Sequence, residues 1–412
     1  MMSPPPAGTH SVLAIEGRNF SGRSDALHRL TKQGLEGARA SSPPKATRAN
    51  TYVGVDAQNY LSGLLPTLRG ELELHGIVTS PRRCAVEAVL ATGNLSNLAA
   101  RNPVTLSGGQ QVILAIATAL LSTREILAID CSLEQLSPEN RTQVLQALGR
   151  PDLHGVQTIL ADNRLLEFRD SVSVQAGLPD VSEPATSVPV MLADILATIP
   201  TSAQPLGLEG VNFSYQSGKP VFRNLTCQFD PGYVHFIVGP NGVGKSSLGK
   251  LLCGLFKPHG GSLWVGNHVP WQPWLNPGRS VAYHFQNPDL QLFRTRVADV
   301  VDASDEVTEA FGLTKFLSEH PLDLPFVLRK RLAIASTVAR RRPWLILDEP
   351  ILGQDDSTAR ILARILDRAA ASGAGIIVIT HSKWFRSLVA RPRLLTLHPE
   401  NEREEQHVAN SF

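Results

Sequence analysis

The sequence predicts an α/β protein made of two tandem nucleotide-binding domains, each built on a mainly parallel sheet. Three observations carry that expectation. A glycine-rich loop, Gly239–Ser247, stands between an apolar run and an amphipathic segment. About a hundred residues later, two aliphatic runs end in Asp348 and Glu349 and in His381. The same order of elements recurs, with altered letters, in the first half of the chain.

At 412 residues the chain is long enough for two or three domains of roughly 150 residues each. Apolar residues make up 42% and charged residues 18%, which allows a sizeable core and excludes wholesale disorder. Charge is near balance, with 39 Lys and Arg against 37 Asp and Glu, so a basic nucleic-acid footprint is not expected. The four cysteines, Cys84, Cys131, Cys227 and Cys253, show no metal-ligand spacing and read as reduced thiols of a cytosolic protein. The start, Met-Met-Ser-Pro-Pro-Pro, has neither the basic nor the apolar region of a signal peptide. The longest apolar stretches, 112–121 and 369–380, fall short of the roughly 20 residues that span a membrane, so a soluble protein is expected.

In the second half, 233–238 is a run of aromatic and β-branched residues interrupted by His235, and 248–255 is amphipathic. Strand, glycine loop and helix form the context a phosphate-binding loop needs. Gly239, Asn241, Gly242 and Gly244 let the backbone curl so that N–H groups face a phosphate at the positive end of the helix. Lys245 adds a point charge, Ser246 offers a hydroxyl to Mg²⁺, and Ser247 closes the loop. The runs 344–348 and 375–380 read as buried parallel strands. In such sheets the chemistry gathers at the carboxyl ends of the strands, which puts Asp348, Glu349 and His381 on the rim of the loop.

The first half repeats the plan. Leu106-Ser107-Gly108-Gly109-Gln110 lies 24 residues before Asp130, and Leu324-Pro325-Phe326-Val327-Leu328 lies 24 residues before Asp348. Gln58 pairs with Gln286, Asp162 with His381, and the stretch 17–24, with Arg23 in the lysine position, with the phosphate loop. Tandem duplication is the simplest account. Residues 1–178 and 206–400 are then the two domains, 179–205 a Pro-, Ser- and Ala-rich linker, and 401–412 a tail.

Both halves resemble ATP-binding-cassette (ABC) ATPases over nearly the whole chain. The resemblance implies two P-loop domains, each a mainly parallel sheet with helices on both faces plus a helical subdomain. The first copy, with only 16 residues before Gly17, is expected to lack part of the N-terminal β subdomain. The matching residues in the second half are the phosphate loop, the Q-loop Gln286, the Walker B Asp348, the adjacent Glu349 and the switch His381. Tyr215 sits where such domains place an adenine-stacking aromatic. In the first half the match is the signature peptide Leu106–Gln110. A narrower likeness, in 285–293, is to ATPases of energy-coupling-factor transporters, which import vitamins and transition-metal ions.

Such domains pair head to tail, so the chain is expected to build two unlike sites. One combines Lys245, Ser246, Asp348, Glu349, Gln286 and His381 with Ser107, Gly108, Gly109 and Gln110 from the first half. The other would use Arg23, Asp130, Cys131 and Asp162 against Leu324–Leu328, and nearly every part of it is altered. Arginine is a bulky planar fork in place of a compact ammonium. A thiol is no base for water at pH 7. Proline, phenylalanine and valine replace small donors that allow close backbone approach.

By resemblance, Lys245 and the loop amides hold the phosphates of ATP. Mg²⁺ is held by Ser246, Asp348 and Gln286, Glu349 polarises water, and His381 contacts the terminal phosphate. The implied partners are a transmembrane coupling subunit and a substrate-binding membrane subunit, with the chain on the cytoplasmic face of the cell membrane and no nucleic acid. Two alternatives stay open. One is a soluble ABC ATPase acting on ribosomes or nucleic acid, and the other is a nucleotide-sensing scaffold with little turnover.

Overall fold

Short apolar runs become the strands of two five-stranded parallel sheets in the computed structural model. It describes residues 12–16, 50–54, 60–77, 79–130, 132–153, 155–162, 173–177, 203–215, 218, 220–301 and 305–398. Contacts divide the chain into two units, Met1–Ser182 and Glu183–Phe412. The expected linker, up to residue 202, and the expected tail lie outside the described residues.

In the first unit the strands are β1 (Val12–Glu16), β2 (Thr51–Val53), β3 (Ile126–Asp130), β4 (Gln157–Asp162) and β5 (Ser173–Gly177). They lie in the order β2-β3-β4-β1-β5, with every neighbouring pair parallel. The helices are α1 (Leu68–Leu74), α2 (Arg83–Thr92), α3 (Gly108–Ser122) and α4 (Pro138–Leu148). Helix α3 is apolar around its whole circumference, and Val112–Leu120 is buried throughout. A helix of that kind belongs inside a core rather than on a surface, and α3 packs against α1, α2 and β2.

The second unit opens with β6 (Leu206–Ser214) and β7 (Pro220–Phe229), which join β9 (Gly260–Val265) and β10 (Val269–Trp271) in an antiparallel sheet ordered β10-β9-β6-β7. Its parallel sheet contains β8 (Val234–Val238), β11 (Val281–His284), β12 (Trp344–Asp348), β13 (Gly375–Ile379) and β14 (Pro392–Thr396), ordered β11-β12-β13-β8-β14. The helices are α5 (Lys245–Leu252), α6 (Val297–Val300), α7 (Asp305–Ala310), α8 (Phe326–Ala339), α9 (Asp356–Ala371) and α10 (Lys383–Ser387).

Strand alternation splits the second core in two. Phe236, Leu345, Leu347, Ile376 and Val378 pack towards α8 and α9. Ile237, Ile346, Ile377 and Ile379 pack towards α5 and the antiparallel sheet. Helices therefore cover both faces, as expected. Among the described residues the antiparallel sheet belongs to the second unit, and most of the stretch 1–49, where the first copy was expected to lack part of the β subdomain, lies outside them.

The two parallel sheets have the same strand order, so their ladders can be matched residue by residue. Asp130 pairs with Ala161 and Asp348 with Ile379, while Ile15 pairs with Ala161 and Ile237 with Ile379. One sequence match moves: Asp162 stands at the place of Thr380, not of His381. In the same count Tyr52 matches Tyr283. Alignment by residue character slid by one position because the letters have diverged, whereas hydrogen-bond register does not depend on letters. The matches of residues 17–24 with the phosphate loop and of Gln58 with Gln286 fall outside the described residues, as do Cys131 and the side chain of Asp162.

Candidate active site

Strands β11, β12, β13 and β8 are consecutive neighbours, so the residues that follow them share one carboxyl edge. Gln286, Asp348 with Glu349, His381 and the loop Gly239–Ser247 all leave that edge, the position at which parallel sheets bind nucleotides.

The loop keeps its shape through backbone conformations that only glycine adopts cheaply. Gly239 has φ +146°, and a Cβ there would lie 2.3 Å from the carbonyl oxygen of Leu397. Gly244 has φ +106°, and a Cβ there would meet Val221 and Phe222 at 2.7–2.9 Å. Gly244 is the N-cap of α5 and provides no side-chain acceptor for the first-turn amides. Those N–H groups and the helix dipole make a cradle for an anion. Lys245 is buried, and its Nζ donates to the carbonyls of Gly239 and Pro240, each at 2.9 Å, so the charge is held over the curl of the loop. Burial lowers the Lys245 pKa, and the nearby Glu349 and Asp348 oppose that shift. Gly242 is exposed at the tip, while Asn241 and Ser246 are half-buried. Ser247 is buried, with its Oγ 2.7 Å from the Tyr215 hydroxyl. Tyr215 is 44% exposed and rests edge-on against Phe213 and Phe256. Its ring is thus fixed beside the loop.

Asp348 ends β12 at 3% exposure, and its Oδ2 accepts a 2.8 Å hydrogen bond from the Tyr283 hydroxyl on β11. Burial and the adjacent carboxylate push the Tyr283 phenol well above its usual value, so it stays a donor. Glu349 has φ +45°, a left-handed conformation that strains a non-glycine residue by on the order of 1–3 kcal/mol. Three contacts hold it there. Its N–H donates to the Ile379 carbonyl at 2.9 Å, the Thr380 hydroxyl donates to Oε2 at 3.0 Å, and the His381 N–H donates to Oε1 at 3.1 Å. His381 Nε2 lies 3.8 Å from Oε1. Burial, then the charge of Asp348, pushes the Glu349 carboxyl up to about 7, against the opposing pull of Lys245, Thr380 and Lys330. A base with that pKa suits proton transfer near neutral pH.

Gln286 is half-buried two residues beyond β11, and its carbonyl accepts from Lys330 Nζ at 2.5 Å. The glycine cradle, its lysine and the edge carboxylates fit a nucleotide triphosphate with Mg²⁺, for which Ser246, Asp348 and Gln286 are the candidate holders. Sequence reasoning missed Tyr283, Thr380 and Lys330. A tyrosine preceding the Q-loop region in both halves, Tyr52 and Tyr283, was the signal available for the first.

In the first unit Ser107 is the N-cap of α3 within a capping box. Its Oγ accepts from the Gln110 N–H at 3.4 Å, and Gln110 Oε1 accepts from the Ser107 N–H at 3.0 Å. Gly108 and Gly109 open that helix, so their N–H groups lie in its first turn. Gln110 Nε2 also donates to the Gly93 carbonyl at 3.5 Å. In the second unit the equivalent peptide is different. Pro325 is the N-cap of α8 with no side-chain bond, and Leu324 and Leu328 are buried. Asp130 is buried and bonded to Tyr52.

The family model for ABC transporters matches residues 222–352. The chain is 35% identical over 190 residues to a Pyrococcus furiosus protein named as an ABC transporter ATP-binding protein, covering 42% of this chain and 73% of the relative. It is 34% identical over 189 residues to the energy-coupling factor transporter ATP-binding protein of Thermotoga maritima, covering 42% of this chain and 71% of that one. Among solved structures it is similar in fold to a chain in the complex of archaeal ribosomal stalk protein aP1 and archaeal ribosome recycling factor aABCE1. There the TM-score is 0.61 at 18% identity, over 95% of this chain and 84% of that one. No helix among the described residues is long and apolar enough to cross a membrane.

Proposed function

The chain belongs to the family of ABC transporter ATP-binding proteins, and from that premise we propose that it powers an importer of the energy-coupling-factor kind through one competent composite ATP site. ATP hydrolysis with Mg²⁺ is the activity of the family. The observation that carries the composite reading is the division of intact parts. The second unit has the cradle, lysine, acids and histidine, and its peptide Leu324–Leu328 lacks small donors. The first unit has the Ser107 capping box with Gly108 and Gly109, and its acid Asp130 is followed by Cys131. Losses that fall on both walls of one site and spare the other are what pairing across the two halves predicts.

In the competent site Lys245 and the loop amides bind and orient the terminal phosphates. Ser246, Asp348 and Gln286 would hold Mg²⁺, which when bound would neutralise phosphate charge. Glu349 accepts a proton from the attacking water, a role worth on the order of 10²–10⁴-fold in rate. His381 orients Glu349 through its N–H and offers its ring to the phosphate. Ser107, Gly108 and Gly109 supply the facing donors. Binding then holds the halves together, and hydrolysis releases them. The second site, with Arg23, Asp130, Cys131 and Asp162, is degenerate.

The likeness to the Thermotoga maritima protein supports partnership with a transmembrane coupling subunit and a substrate-binding membrane subunit, with the chain peripheral on the cytoplasmic face. Two measurements test the proposal. Gly108→Asp in the full chain is expected to lower ATP turnover by about 100-fold, and wild-type turnover would overturn the composite site. Affinity purification from solubilised membranes is expected to yield integral membrane subunits. Co-sedimentation with ribosomes and no membrane subunit would favour the soluble alternative.

A further inference from the structure

The start of α8 has lost the small donors of a signature peptide, yet the same helix carries buried polar contacts in two directions. Lys330 is 0% exposed, and its Nζ donates to the Gln286 carbonyl at 2.5 Å. One residue earlier, Arg329 NH1 bonds both oxygens of Asp289, at 2.7 and 2.6 Å. Gln291 Nε2 donates to the Ala333 carbonyl at 2.7 Å, to Ser336 at 3.0 Å and to Thr337 at 3.2 Å, while its Oε1 accepts from the Phe285 N–H at 3.0 Å. The segment 285–291 is thus hooked onto α8 at successive turns. In the other direction, Arg331 Nε donates to Gln354 Oε1 at 3.2 Å, and Gln354 Nε2 donates to the Val327 carbonyl at 3.1 Å.

We infer that Lys330 is a positioning residue that pins the backbone of Gln286, so that the glutamine side chain leaves β11 at a set place on the catalytic edge. Withdrawing an ammonium from water carries a large cost that its contacts must offset. The cation nevertheless sits beneath the loop that follows β11, and its charge reaches Glu349 and His284. The duplicate provides an internal comparison. Matching Leu106 to Leu324 puts Val112, 1% exposed in α3, at the position of Lys330. The lysine therefore accompanies the half with the complete phosphate loop and is absent from the half whose acid is followed by a thiol. The peptide 324–331 has traded the facing of a nucleotide for the bracing of its own domain's Q-loop. This assignment rests on reading the second unit as the working ATP site.

The test compares Lys330→Met and Lys330→Gln in the full-length chain by hydrogen–deuterium exchange without nucleotide, and then by steady-state kinetics with MgATP. In Lys330→Met the amides of 285–291 are expected to exchange about tenfold faster, the measure of one lost hydrogen bond, with 239–247 unchanged. Its kcat should fall about tenfold while KM for ATP moves less than twofold, because Gln286 acts after binding. Lys330→Gln keeps an N–H donor and should restore both readouts to within about twofold of wild type. Wild-type protection of 285–291 in Lys330→Met overturns the inference, and so does a loss that Gln does not rescue or that spreads equally to 239–247. If the Met variant does not fold, Lys330→Gln decides alone. Retained protection supports the hydrogen-bond role, and lost protection overturns it. A wild-type chain without turnover would count against the ATPase reading, and the exchange result would still decide the role of Lys330.

Discussion

Tyr283 donates a 2.8 Å hydrogen bond to Asp348, and the matched pair in the other unit, Tyr52 and Asp130, makes the same bond at 2.8 Å. The bond has outlasted the divergence of the residues around it. In both sheets it links the edge strand to its neighbour at the acid that closes that neighbour, β12 or β3. In the proposed function the acid of the second unit serves the working phosphate loop, and Asp130 belongs to the degenerate site. Tyr283→Phe should therefore cost about 1–2 kcal/mol of stability and raise several-fold the Mg²⁺ concentration giving half-maximal turnover. Tyr52→Phe should cost a similar stability and leave turnover at the wild-type level. Mg²⁺ titrations that shift equally in both variants would refute the assignment of the working half.

Glu349→Gln should abolish turnover and preserve ATP binding, whereas Cys131→Ala should leave both unchanged. The same variant has a stability signature. The folded protein raises the Glu349 pKa from 4.5 to about 7, so ionised Glu349 destabilises the fold. The penalty is absent below pH 4.5, grows as pH rises, and is complete above pH 7. At its largest it is on the order of 3 kcal/mol. The nucleotide-free Gln variant should thus melt higher than wild type at pH 8, and the difference should shrink by pH 5. Calorimetry at the two pH values checks this.

The buried histidines act with the opposite sign. Burial drives His284 well below its usual pKa, with the Lys330 charge adding and Gln291 opposing. Burial also lowers His235, with Arg393 adding and Asp230 opposing. Each imidazole stays neutral when folded and takes up a proton more readily when unfolded. Stability is complete above pH 6.5 and falls as pH drops below it, by at most about 1.4 kcal/mol per pH unit for each group. Urea midpoints between pH 7 and 5 should show the fall, and His284→Leu should reduce its slope. An unchanged slope would mean that His284 takes up its proton in the folded protein as readily as in the unfolded chain.

The two helix starts give a prediction about asymmetry. Ser107→Ala removes the cap of α3 and should cost about 1 kcal/mol along with most of the ATP turnover. Pro325→Ser supplies a capping hydroxyl to α8, where the backbone is already extended at φ −53° and ψ 149°. It should add up to about 1 kcal/mol and leave turnover unchanged. Equal kinetic effects of the two substitutions would argue against unequal sites.

The buried strands, the glycine loop and the acids were legible in the residues because each depends on local chemistry. The run 344–350 declares a buried strand and its acidic end without reference to anything distant. Correspondence between the halves was less legible. Asp162 matches Thr380 rather than His381, and only the ladder register reveals the shift. Thr380 itself was unremarked, since a threonine ending a strand has no distinctive spelling. Its role comes from the 3.0 Å bond to a glutamate 31 residues earlier.

The linear order of residues determined that one half holds the loop, lysine, acids and histidine while the other holds Ser107–Gln110, because those elements are written in contiguous peptides. Tertiary structure alone decided which distant donor holds each of them: Tyr283 on Asp348, Thr380 on Glu349 and Lys330 on Gln286. Such pairs are set by strand register and by the packing of α8 beneath β11. A buried hydroxyl or ammonium carries nothing in its neighbours along the chain that says which oxygen it will meet.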